Sequence, residues 1–269
     1  SDINVLRRVS RKTWRYFEDF AGEEDNYLPP DNYQENPPKG AAHRTSPTNI
    51  GLMLLSALSA GDMGYVGFKG LADILGSTIS TVERMEKWRG HLFNWYDTKT
   101  LEVLRPMYVS TVDSGNLVGY MIVVREGLKE YLKKKVPMPS LAMGIKDTLE
   151  LVCEEEGKEI DQSLRRTLVE LSKKEQMDPL SWASVLEGIA AWLKNEILDQ
   201  AISDSQKNES SHMKKSKRFA NGLQLANDYR WSSKLNDMVQ SFMDELLLFY
   251  PFLNQPDALS ILDEEKNEF

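Results

Sequence analysis

The run Ile50-Gly51-Leu52-Met53-Leu54-Leu55-Ser56-Ala57-Leu58 is apolar or small on nearly every side of a helix. A helix of that kind has to be enclosed by other elements on most of its surface. Ser46 followed by Pro47 supplies an N-cap and a first-turn proline, so this helix is predicted from Pro47 to about Gly64. Before it, Val5, Leu6, Val9, Trp14, Phe17 and Phe20 form an approximate helical stripe over 3–21, stopped at Gly22. After it, a tight Gly64-Tyr65-Val66-Gly67 connection leads to an amphipathic helix at about 68–88. That helix turns Leu71, Ile74, Leu75, Thr78, Val82 and Met85 inward. A fourth helix, about 113–134, is again mostly apolar from Leu117 to Val124. Amphipathic and enclosed helices therefore alternate.

The connections alternate as well, long between helices 1 and 2, short between 2 and 3, and long between 3 and 4. Helices joined by short turns run antiparallel, so both long loops emerge at one end of the stack. The N-termini of helices 2 and 4 point their unpaired N–H groups into that end. The expected class is all-α, an α/α toroid of helical hairpins, with residues 1–135 carrying the two loops and 136–269 adding further hairpins of the same domain. In the second portion a polar break at Glu154–Lys158 precedes a helical segment from Asp161 to Leu171. Another helix runs from Pro179 to about Ile202, then a polar loop from Ser203 to Lys217. A long helix carrying Phe219, Leu223, Ala226, Trp231 and Leu246 ends at Tyr250-Pro251. No strand pattern is visible, and seven to nine helices are expected.

Composition narrows the function classes. Among 269 residues, 41 acidic against 33 basic side chains give a formal charge of -8, which argues against a nucleic-acid partner needing many phosphate-neutralising cations. The one basic run, Lys214-Lys215-Ser216-Lys217-Arg218, reads as a solvated helix start. A single cysteine, Cys153, excludes an internal disulfide and any multi-cysteine zinc site; with Leu149 and Val152 at helical spacing it reads as a buried structural thiol. His43, His91 and His212 are far apart without i,i+4 partners, so neither a metal nor a cofactor is expected. The longest apolar stretch, Ile50 to Ala60, falls short of the ~20 residues that span a bilayer. No leader opens the chain, so no signal peptide and no membrane contact are expected.

The two long loops carry the chemistry. The first holds Asp31-Asn32-Tyr33-Gln34 and His43-Arg44-Thr45-Ser46-Pro47-Thr48-Asn49. The second holds His91-Leu92-Phe93-Asn94-Trp95-Tyr96-Asp97 and Ser110-Thr111-Val112-Asp113-Ser114-Gly115-Asn116. Long structureless connections in a compact domain are usually functional or disordered, and disordered segments are poor in aromatics. Sugar rings pack their C–H faces on aromatic planes while their hydroxyls seek carboxylates and amides. Trp95 or Tyr96 can supply such a plane and Asp97 an acceptor, whereas Phe93 reads as an anchor for the loop. Asp113 and Asn116 sit in the first turn of helix 4, where Thr111, Asp113 or Ser114 could equally be a cap. Ser46 reads as a cap, Arg44 and Asn49 as hydroxyl-holding groups. Glycosidic-bond chemistry requires paired carboxylates; the in-chain candidates are Asp31, Glu35, Asp97 and Asp113, with spacing alone unable to pair them.

The stretches Arg11 to Phe20, Asn26 to Glu35, His43 to Leu52, Gly90 to Thr98 and Tyr108 to Leu117 closely resemble cyclic β-1,2-glucan synthases. The resemblance is dense over about 11–125, and beyond 135 only a general helical pattern remains. It implies a carbohydrate-active middle domain with an (α/α)6-barrel fold, related to endo-β-1,2-glucanases and glucoamylase-like proteins. It further implies cleavage and rejoining of β-1,2-glucan into a ring, and a place on the cytoplasmic side of an inner-membrane parent whose other domains are its partners. Arg44, Thr45, Asn49, Trp95, Tyr96, Asp97, Asp113 and Asn116 are the glucan contacts it implies; Asp97 and Asp113 are the in-chain catalytic candidates. A six-hairpin barrel needs twelve helices, so an incomplete barrel is expected, with the catalytic glutamates beyond Phe269 and exposed inner helices that favour a homodimer.

Overall fold

The computed structural model describes residues 2–209 and 230–254. Eight α-helices dominate the described residues, as the all-α reading requires. The chain divides into two compact units, Ser1–Lys134 and Lys135–Phe269. The first contains α1 (Asp2–Phe20), α2 (Pro47–Met63), α3 (Phe68–Arg84) and α4 (Thr111–Tyr131). The second contains α5 (Ser140–Glu156), α6 (Gln162–Ser172), α7 (Pro179–Glu209) and α8 (Trp231–Phe249).

In the first unit α2 is the hub, packing on α1, α3 and α4. Its caps are those the sequence announces. Ser46 Oγ accepts from the Asn49 N–H at 3.2 Å, and Gly64 closes the far end in the left-handed region at φ 81°. Ile50, Met53, Leu54, Ala57 and Leu58 are buried.

The contact between α2 and α4 depends on glycine. A Cβ on Gly51 would strike the Tyr120 ring, one on Gly61 the Tyr131 hydroxyl, and one on Gly127 the Leu58 side chain. These pairs climb both helices in the same direction, so α2 and α4 run parallel and their N-termini lie together. The inferred geometry of the loop end is therefore the observed one within this unit.

Three expectations for this unit need correction. Six strands of two residues each form three antiparallel ribbons: β1 (Tyr33–Gln34) with β2 (Gly40–Ala41), β3 (Arg44–Thr45) with β6 (Tyr96–Asp97), and β4 (Lys87–Trp88) with β5 (His91–Leu92). Two residues are too few to display a period-two pattern. The β4 strand also takes the end of the predicted third helix, because Met85 leaves the helix in extended conformation. Finally, α4 is less enclosed than its composition suggested. It buries Val124 and Tyr131 but leaves Val118, Met121, Ile122 and Val123 exposed, since its apolar residues occupy more faces than its contact with α2 covers.

The second unit builds its core from Leu141, Ile145 and Leu149 of α5, Trp182 of α7 and Phe242 of α8, with the last two rings 6.3 Å apart. Trp231 Nε1 donates to Glu155 at 2.7 Å, tying the start of α8 to the end of α5. Asp161 caps α6 by accepting from the Ser163 N–H. Cys153, expected buried, is half-buried. Helix α7 continues to Glu209, so Ser203 to Glu209, expected as loop, is helical. His212, the basic run and Phe219, Leu223 and Ala226 lie outside the described residues.

The glycine contact is testable against a control in the same unit. Alanine is favoured over glycine by about 1 kcal/mol in a helix interior, and Gly76 of α3 has nothing within 4 Å of its would-be Cβ. Gly76→Ala is expected to hold or raise the melting temperature. Gly51→Ala is expected to lower it, because overpacking costs about 1–3 kcal/mol. Equal shifts in thermal unfolding would rule out a glycine-dependent contact.

Candidate functional site

The two loops meet as a ribbon. β3 and β6 pair antiparallel with Arg44 opposite Asp97 and Thr45 opposite Tyr96. One residue on, the Thr98 N–H donates to the His43 carbonyl at 3.1 Å. Asn26 extends the seam, its Nδ2 donating to the carbonyls of Thr98 and Lys99. The second loop is stiffened by its own backbone pairing: Asn94 N–H to Tyr108 O, Leu104 N–H to Trp95 O and Asp97 N–H to Glu102 O, each 2.9 Å.

One side of this surface centres on Asp31. Arg44 donates to its Oδ2 from Nε at 3.1 Å and from a terminal nitrogen at 2.8 Å, and Asn49 Nδ2 donates to Oδ1 at 3.3 Å. The same guanidinium lies over the Trp95 ring, 4.8 Å from its centroid, within the range of cation–π attraction. Arg44 is half exposed, so its ion pair with Asp31 adds little to stability; its consequence is orientation. Nearby, Tyr16 donates to the Pro30 carbonyl at 2.9 Å. Burial, and then the Asp31 charge, push its hydroxyl up to about 12.

The other side centres on Asp113 in the first turn of α4. Ser110 is the cap, its Oγ accepting from the Asp113 N–H at 3.1 Å, so the Asp113 carboxylate is left for other partners. Thr48, in the first turn of α2, donates to Asp113 Oδ1 at 2.6 Å and accepts from Asn116 Nδ2 at 3.2 Å. Asn94 completes the set. With its amide turned to suit all its neighbours, Nδ2 donates to Asp113 Oδ2 at 3.0 Å. Its oxygen then accepts from Trp95 Nε1 at 2.9 Å and from the Tyr108 hydroxyl at 2.7 Å. The opposite orientation would set the amide oxygen against the carboxylate and the NH2 against the indole N–H. Both sides thus join through Trp95, held by Arg44 on its face and by Asn94 at its edge.

Of the eight predicted contacts, Arg44, Asn49, Trp95, Asp113 and Asn116 fall within this connected surface. The other three are placed differently. Asp97 is a turn residue: its Oδ1 accepts from the N–H groups of Lys99 and Thr100, both at 2.8 Å. Partial burial pushes its carboxyl up. The Thr100 and Lys99 N–H groups, the Thr100 hydroxyl and nearby His43 outweigh that and hold it below the usual carboxylate value. An acid so readily ionised is a poor proton donor at neutral pH. Tyr96 is fully buried, its hydroxyl donating to the Glu86 carbonyl at 2.6 Å and accepting from the Phe93 N–H at 2.7 Å. Burial raises it to about 12. Thr45 is also fully buried, and its hydroxyl has no partner.

The sequence reading passed over Thr48, Asn94, Tyr108 and Asp25. Asp25, buried in the turn after α1, accepts from the Thr98 hydroxyl and lies 2.7 Å from His43 Nδ1, which fixes the imidazole at the ribbon edge. Thr48 had a signal, a polar residue in the first turn of an otherwise apolar helix. Asn94 had none beyond adjacency to Trp95. Among the described residues no group of three or more His, Cys, Asp or Glu side chains could hold a metal ion, and no helix is long and apolar enough to cross a membrane.

No family model matches the chain. A curated protein, the cyclic beta-(1,2)-glucan synthase NdvB of Rhizobium meliloti (strain 1021), is 54% identical over 129 residues. That stretch is 48% of this chain and 5% of the relative's length, so the chain matches a small part of that protein. A solved structure from Bacteroides fragilis NCTC 9343, carrying the name glucoamylase, is 18% identical. The match covers 64% of this chain and 35% of that one at a TM-score of 0.35, a superposition too loose to define a shared fold.

The role of Asp97 carries a pH signature. Its folded value lies below its unfolded one, so its contribution to stability is present above the unfolded pKa, about pH 4. It is lost as pH falls through the lowered folded value. The melting temperature of the wild type is therefore expected to exceed that of Asp97→Asn by a steady margin above about pH 4, and the margin should close in more acidic buffer. A margin unchanged down to the acid limit of folding would remove the carboxylate charge from the account of this turn.

Proposed function

We propose that the surface joining the two loops binds β-1,2-linked glucan as part of a glucan-processing domain. The observation that carries this reading is the conjunction of a half-buried indole, Trp95, with two fixed carboxylates, Asp31 and Asp113, and the donors Arg44, Asn49 and Asn116. An aromatic plane edged by preset acceptors and donors is the arrangement that pyranose rings fit. The 54% identity to a protein named for cyclic β-1,2-glucan synthesis supports this particular linkage.

In this reading the domain cleaves and rejoins β-1,2-glucan, closing it into a ring. It stands beside the other domains of its parent synthase on the cytoplasmic side of an inner membrane, in an α/α toroid whose loop end is the cleft. Arg44, Asn49, Trp95, Asp113 and Asn116 touch the glucan, joined by Asp31 and Tyr108. Tyr96 and Thr45 support the loops from within, and Asp97 supports them by holding its turn.

One observation favours a non-catalytic binding or scaffolding role for this wall of the cleft. Both carboxylates in it are already engaged, Asp31 by Arg44 and Asp113 by Thr48 and Asn94, and the neighbouring Asp97 is taken up by its turn. A hydrolase would release glucose oligomers from the same glucan without rings or transfer products, so product analysis separates it from the first reading.

Calorimetric titration with linear β-1,2-glucan, with β-1,3-glucan as comparison, tests the binding step. Trp95→Ala and Asp31→Asn are each expected to weaken the β-1,2-glucan complex about tenfold, ~1.4 kcal/mol, with melting temperatures within a few degrees of the wild type. A folded wild-type chain that binds neither glucan would overturn the proposal.

A further inference from the structure

Asn94 is 7% exposed and stands between the two halves of the cleft. Its amide oxygen accepts from Trp95 Nε1 and the Tyr108 hydroxyl, while its nitrogen donates to Asp113 Oδ2. Few side chains can do this. The site needs two lone pairs on one atom and an N–H on the next, within the reach of a short stem. Aspartate has the lone pairs but no donor when ionised, and alanine has neither. We infer that Asn94 is a positioning residue that locks the plane of Trp95 to the carboxylate of Asp113, so that glucan affinity depends on a buried side chain that the glucan does not touch.

The consequence follows from what each partner would do alone. Without the amide, the Trp95 indole keeps Arg44 on its face at 4.8 Å but loses the bond at its edge. Asp113 keeps Thr48 on Oδ1 and loses the donor on Oδ2. Both groups stay in the cleft, and their mutual orientation is released. In a near-isosteric Asn94→Asp chain two carboxylates face each other where an amide met a carboxylate, and such a pair holds a shared proton to well above the ordinary carboxylate range. When that proton is present the wild-type pattern returns, with an O–H donating to Asp113 and the second oxygen accepting from Trp95. The charged and titratable groups facing the pair are Asp113, the Tyr108 hydroxyl and, across the indole, Arg44 with Asp31.

This inference rests on the glucan reading for its affinity arm, and a second arm is independent of any sugar. In 15N-labelled protein the Trp95 indole N–H is identified as the cross-peak missing from Trp95→Phe. That peak is expected to titrate in Asn94→Asp with an apparent midpoint above about pH 5, to stay fixed over the same range in the wild type, and to exchange faster with water in Asn94→Ala. By titration with linear β-1,2-glucan, Asn94→Asp is expected to bind at least tenfold more weakly than the wild type at pH 8 and within about threefold of it at pH 5. Asn94→Ala should be weak at both. A Trp95 peak that neither titrates in Asn94→Asp nor changes exchange in Asn94→Ala would overturn the inference, as would wild-type affinity in both variants. Should Asn94→Ala fail to fold, the near-isosteric Asn94→Asp decides. Absence of glucan binding by the wild type would sink the glucan reading alone, leaving the indole signal to judge Asn94.

Discussion

The parallel contact between α2 and α4 is the constraint on which the candidate site depends. Two helices can lie side by side at this separation only where one offers no Cβ, and Gly51, Gly61 and Gly127 are those places. Running parallel rather than antiparallel, the pair brings two N-termini to one end. Thr48 from one first turn then reaches Asp113 and Asn116 in the other. Two helix starts also bring together unpaired N–H groups and a local positive potential, which suits carboxylates placed there. The loops preceding α2 and α4 have nowhere else to emerge, and the Arg44–Asp97 ribbon joins them.

This arrangement was legible in the sequence because it follows from alternation. Helix composition and connection length both alternate through the first 134 residues, the first marking which helices are enclosed and the second putting the long loops at a common end. Ser46-Pro47 marked the start of α2, and the glycine at 64 its end, for reasons of backbone chemistry alone. Less visible was what happens within the loops. The three ribbons are two residues per strand, shorter than any periodicity can register. Asp97 looked like a ligand group because it follows two aromatics outside any helix, yet acceptance from the N–H groups of Lys99 and Thr100 makes it the residue that turns the chain. Tyr96 and Trp95 are neighbours of similar type, and only the alternation of side-chain direction where the chain enters β6 sends Tyr96 inside and leaves Trp95 half-buried.

Apolar composition was a weaker guide for α4 than for α2. Both carry long runs of aliphatic residues, but a run states only that burial is affordable, not which neighbours supply it. α2 has α1, α3 and α4 around it, while α4 leaves Val118, Met121, Ile122 and Val123 exposed. The distinction between a helix enclosed on most sides, as α2 is apart from Leu52, and one apolar on several faces depends on contacts that no local pattern records.

The hydrogen bonding of the candidate surface leaves its carboxylates as acceptors with fixed partners. A general acid must hold its proton near neutral pH, which requires burial without compensating donors or a like charge nearby. Asp97 has the reverse, two backbone N–H groups on one oxygen. Asp31 faces a guanidinium, and Asp113 accepts from a hydroxyl and an amide. Asp31 and Asp113, set as acceptors with fixed partners on either side of an indole, make a surface suited to gathering hydroxyl groups. The buried amide of Asn94 fits the same logic, because it satisfies Asp113 with a neutral donor. The amide orients the carboxylate without bringing a second charge to it.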